Sequence, residues 1–67
     1  MKTIEPNTDV IVTDQSIECR ALFIRTQAHP FGGEMYYIVK LYGIKGKYKG
    51  KLISGEFGYS EEEIRVA

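Results

Sequence analysis

Short runs of β-branched and aromatic residues, each closed off by Gly, Pro, Asn, Asp or Ser, recur along this chain, and no window sustains a 3.6-residue apolar period. That pattern calls for strands and turns rather than for a helical bundle. The first run is Asp9-Val10-Ile11-Val12-Thr13, left at Asp14-Gln15-Ser16. The second, Ile17 to Thr26, sets Ile17, Cys19, Ala21 and Phe23 on one face and Glu18 and Arg20 on the other. Leu22 and Ile24 break the alternation on the polar side, which predicts a strand that bends from one layer into another. Gln27 to Glu34, with His29-Pro30 and Gly32-Gly33, reads as a loop.

The third run, Met35 to Tyr42, places Met35, Tyr37, Val39 and Leu41 on one face and Tyr36, Ile38, Lys40 and Tyr42 on the other. Both faces are partly apolar, as in a central strand covered on both sides. Gly43 to Gly50 is rich in Gly and Lys and suits either a long hairpin tip or a ribbon continuing the sheet. Leu52 to Phe57 makes a fourth run with Gly55 as a bulge. Ser60 and Glu63 have capping-box spacing, enough for one helical turn before a last short strand.

Five short strands and one terminal helical turn describe an all-β small barrel. The opening Asp9-Val10-Ile11-Val12 and the closing Phe57-x-x-Ser60-Glu61-Glu62-Glu63-Ile64-Arg65-Val66 resemble SH3-like barrels, a likeness covering residues 8–67. The resemblance implies a five-stranded SH3-like fold and no single activity, since such barrels bind peptides, nucleic acids or other subunits. The Ala-Leu-Tyr-x-Tyr run and paired Trp of peptide-binding SH3 domains are absent.

The 67 residues form a single domain, 1–67, with 1–7 read as a loose N-terminal arm. For a chain of this mass, apolar burial contributes on the order of 100 kcal/mol and conformational ordering costs about as much. The balance near zero favours a tightly closed fold or association with a partner. One Cys excludes an intramolecular disulfide, and Cys19 with His29 falls short of a structural zinc set. No apolar run approaches the ~20 residues of a membrane span, and the first residues lack a signal-peptide core. The expectation is a cytoplasmic chain with no cofactor, no metal and no membrane.

Lys45, Lys47, Lys49 and Lys51 occupy every second position, and no acid lies between Glu34 and Glu56. In an extended ribbon all four would point one way, as a phosphate-contacting surface with Tyr48 and Tyr42 as stacking rings. Lysines also protect sheet edges from unwanted pairing. With nine Lys+Arg against nine Asp+Glu there is no global pull on nucleic acid. The acids of Glu61-Glu62-Glu63 suit the first turn of a helix, and with the lysines they give the chain opposite charged patches that permit head-to-tail contact.

Phe31, Tyr36 and Tyr42 are candidates for an exposed aromatic surface, with Lys40 at its rim. His29 reads as a turn residue and Cys19 as a small inward hydrophobe. No acid–base pair or nucleophile constellation is visible. The function these features point to is a non-catalytic protein-interaction module binding a protein partner or itself as a homo-oligomer. An adaptor, or an inhibitor of the phage or mobile-element type, is the class in view. The alternative is sequence-nonspecific nucleic-acid binding through Lys45, Lys47, Tyr48, Lys49 and Lys51.

Overall fold

In the computed structural model, which describes residues 2–67, the apolar runs become strands: β1 (Asp9–Asp14), β2 (Ile17–Ala28) and β3 (Met35–Leu41). Two shorter strands follow, β4 (Phe57–Tyr59) and β5 (Ile64–Val66), with single 3-10 turns at Gly46–Tyr48 and Glu61–Glu63. All pairings between these strands are antiparallel, in one sheet ordered β4-β3-β2-β1-β5. The ladder ends at β4 and β5, which do not pair with each other.

That sheet must nevertheless curl. Five strands laid flat would put the edge strands roughly 19 Å apart. The link from Tyr59 to Ile64 is short and contains a 3-10 turn, so it reaches only about 13 Å. Tyr59 on β4 accordingly extends its hydroxyl to donate to Asp14 Oδ2 at the end of β1, 3.0 Å away. Inside the curl lie Val10, Val12, Ala21, Phe23, Tyr37, Val39, Tyr59 and Ile64, with Ile4, Cys19 and Leu41 packed at the margin.

The apolar break in β2 corresponds to a β-bulge. Register shifts between Phe23, opposite Val39, and Arg25, opposite Ile38, leaving Ile24 as the extra residue. Beyond it Thr26 faces Tyr37, so the positions that share the core-side face change parity; β2 stays within one sheet, where its sequence predicts a bend from one layer into another. The fourth run is divided. Leu52 makes a single bridge to Tyr42 and the Ile53 N–H donates to the Leu41 carbonyl, while the regular pairing begins at Phe57 opposite Val39. Gly55, at φ 102°, turns the chain between the two pieces.

The N-terminal segment, read as a loose arm, is hydrogen-bonded to the sheet. The Lys2 N–H donates to the Tyr37 hydroxyl at 2.8 Å, and that hydroxyl donates to the Lys2 carbonyl at 2.9 Å. The Lys2 ammonium donates to the carbonyls of Glu61 and Ile64, and the Asn7 N–H to that of Phe23. The terminal turn is a 3-10 turn with its capping box in place, the Ser60 N–H and hydroxyl both donating to Glu63 Oε1.

Tyr59 gives an alkaline test of the curl. Burial first, then its hydrogen bond to Asp14, raises its pKa from 10.0 to about 12. Above about pH 10 the unfolded chain loses this proton while the folded one keeps it, so stability falls as pH rises from 10 towards 12. Urea unfolding of the parent chain across that window should show the decline, and the difference between parent and Tyr59→Phe should shrink with pH. A constant difference would disconnect Tyr59 from it.

Candidate functional site

Strand β3 separates two exposed features. It rises about 3.4 Å per residue, so its seven residues hold the 29–34 loop and the 43–54 excursion some 24 Å apart. The molecule is correspondingly long, 38 × 23 × 19 Å.

At one end, Phe31 is 92% exposed at the tip of the β2–β3 hairpin. Its placement is built rather than loose. The Gly32 N–H donates to the His29 carbonyl at 3.0 Å, the Phe31 N–H donates to His29 Nδ1 at 3.1 Å, and Pro30 lies between. The His29 ring stands 5.7 Å from Phe31 and 5.0 Å edge-on from Tyr36. Phe31 and Tyr36, two of the aromatic residues singled out from sequence, are thus linked through His29.

Tyr42 is not part of that row. It lies six residues further along, and its half-buried ring has Arg20 over it at 5.5 Å while its hydroxyl donates to Asp9 at 3.1 Å. Burial, then Asp9, raises the pKa of that hydroxyl. Ile38, between the two tyrosines, is 8% exposed. Arg25 on β2 and Glu56, which leads into β4, form a bidentate ion pair at 3.0 and 2.8 Å across this face of β3. Arg25 stands opposite Ile38 in the ladder, where an arginine stem can cover apolar surface as well as carry charge. Hydrogen bonds from Arg25 hold the Glu56 carboxyl below its ordinary range, and the charge of half-buried Lys40 acts in the same direction. The outer face of β3 is therefore largely occupied by its own neighbours.

Five of the eight exposed large apolar residues among those described lie towards the other end. Ile44, Tyr48, Leu52, Ile53 and Phe57 are between 38% and 63% exposed. Tyr48, Leu52, Ile53 and Ser54 line an open depression of about 430 Å³. The excursion is not the extended ribbon its lysine spacing allows: Gly46–Tyr48 form a 3-10 turn, so Lys45, Lys47, Lys49 and Lys51 do not share one strand face. All four are exposed, and among the described residues none has an ion-pair partner. The Lys47 ammonium sits 5.2 Å from the Tyr48 ring centre.

Backbone contacts shape the excursion. The Gly43 N–H donates to the Lys51 carbonyl and the Gly50 N–H donates to that of Gly43, each at 2.9 Å. Tyr48 closes so tightly over Gly43 that a Cβ there would lie 2.2 Å from the Tyr48 carbonyl oxygen. Sequence reasoning found the lysines and Tyr48 but missed Ile44, Leu52, Ile53 and Phe57 as surface residues. The available signal was Ile44 and Leu52-Ile53 bracketing the lysines, apolar residues at both ends of a Gly-rich turn.

Among the described residues no group of three or more His, Cys, Asp or Glu is placed to hold a metal ion, and no helix is long and apolar enough to cross a membrane. No family model, no curated protein and no solved structure matches this chain.

Proposed function

We propose that this protein is a non-catalytic protein-interaction module whose curled sheet serves as a small SH3-like barrel scaffold. Its docking face is the 43–54 excursion. The observation that carries this reading is an apolar cluster, Ile44, Tyr48, Leu52 and Ile53, surrounded by four lysines without ion-pair partners. Interfaces use an apolar centre for affinity and a charged rim for steering and register. The partner surface that fits is acidic at its rim and apolar at its centre. Phe31 and Tyr36 form a second, separate aromatic contact; Lys40 and Tyr42 support the sheet between them.

A synthetic peptide of alternating Leu and Glu is the probe. Titrated into the isotope-labelled chain, it should shift resonances in 43–54 and at Phe57, more weakly at higher salt. An oligo-thymidylate titrated in parallel examines the nucleic-acid alternative through Lys45, Lys47, Tyr48, Lys49 and Lys51. Peptide binding at 43–54 with no response to the oligonucleotide supports the docking reading. Binding of the oligonucleotide alone overturns it.

A further inference from the structure

The two ends of the molecule complement each other, and the geometry points to a second copy of this chain as the occupant of the docking face: the Phe31 tip of one copy seats in the Tyr48/Leu52/Ile53 depression of the next. The inference rests on the proposed docking face and names its partner.

Size and shape fit. A cavity of roughly 150 Å³ lined by apolar side chains suffices to bind benzene, and the depression offers about 430 Å³. Phe31 projects from a turn already ordered by His29 and Pro30, so inserting its ring orders little additional chain. The tip is convex and the depression concave, and β3 holds them at opposite ends.

Charge fits as well. Glu34 closes the tip loop, its carbonyl accepting from the His29 N–H, and shares a small pocket with Glu62 and Met35. The excursion end carries Lys45, Lys47, Lys49 and Lys51. Stacked head to tail, Glu34 of one copy approaches the lysines of its neighbour. Two tips brought together would instead appose their Glu34 carboxylates. Such a contact joins different surfaces, so it propagates as a chain or closes as a ring.

The test uses two variants that each keep one surface. Phe31→Ser removes the knob and Leu52→Asp spoils the depression; both positions are exposed, so the sheet should be unaffected by circular dichroism. Light scattering of the parent should give a mass above 7.6 kDa that rises with concentration and falls with salt. Each variant alone should be monomeric, and their mixture should form a one-to-one pair. A parent that stays at 7.6 kDa at millimolar concentration, or a mixture that stays monomeric, overturns the inference. The Leu-Glu peptide separates the two readings. Binding to Phe31→Ser while the parent is monomeric leaves the docking face standing without self-association, and a monomeric parent with no peptide binding by either protein removes both.

Discussion

Replacing Tyr37 by Ala should abolish cooperative thermal unfolding, leaving a chain without a defined melting transition. Tyr37 is fully buried, its ring 6.0 Å from Phe23, and it pairs with Thr26 on one side and Tyr59 on the other. Truncating a core aromatic costs about 3–5 kcal/mol. At typical values per residue, the whole stability of a chain this long is only about 3–10 kcal/mol. One substitution therefore removes a large share of it. The hydroxyl has a separate role, tying Lys2 to the sheet through both its N–H and its carbonyl. Tyr37→Phe should stay folded, lose about 1 kcal/mol, and be cut faster by trypsin after Lys2. A Tyr37→Ala variant melting like the parent would show that the core does not centre on this ring.

The strands were legible because their signals are local. Asp9 to Thr13 and Met35 to Tyr42 alternate or fill as sheet residues do, and the observed strands differ from those runs by single residues. An irregularity in β2 was visible where Leu22 and Ile24 break the polar face; that pattern predicts a bend between layers, and the structure has a bulge at Ile24 instead. Ser60 and Glu63 sit within one turn of each other, so the cap could be read directly. What escaped reading depends on residues far apart in the chain. Ile38 looks exposed until Arg25 and Glu56 are placed across it. The first residues carry no pattern, and their partner Tyr37 lies 35 residues from Lys2. The lysine spacing suited a ribbon, and a 3-10 turn replaced it because the chain folds back onto Gly43, where a side chain would not fit.

Much of the candidate site therefore depends on one glycine, and Gly43→Ala should uncouple the docking face from the sheet. The new methyl would meet the Tyr48 carbonyl oxygen at 2.2 Å and the carbonyl carbon at 2.7 Å. These are backbone atoms, so no rotamer change relieves the clash. Overpacking of this kind costs about 1–3 kcal/mol or more, enough to open the Gly50 N–H to Gly43 and Gly43 N–H to Lys51 hydrogen bonds. Tyr48 would then leave Leu52 and Ile53, and the depression they form would be lost. The core residues of β1, β2 and β3 lie outside the excursion and keep their packing, so the sheet should still unfold cooperatively. Amide exchange at Gly50 and Lys51 should accelerate, and both binding of the Leu-Glu peptide and growth of mass with concentration should fall at least tenfold, the equivalent of about 1.4 kcal/mol. Gly58→Ala is the matched control: its Cβ would come no nearer than 3.4 Å, to Tyr36, an ordinary contact on the outer face of β4. If Gly43→Ala exchanges like the parent, the excursion does not owe its shape to that close approach; if exchange accelerates while binding is unchanged, the ring of lysines around an apolar centre is not the surface on which partners are held.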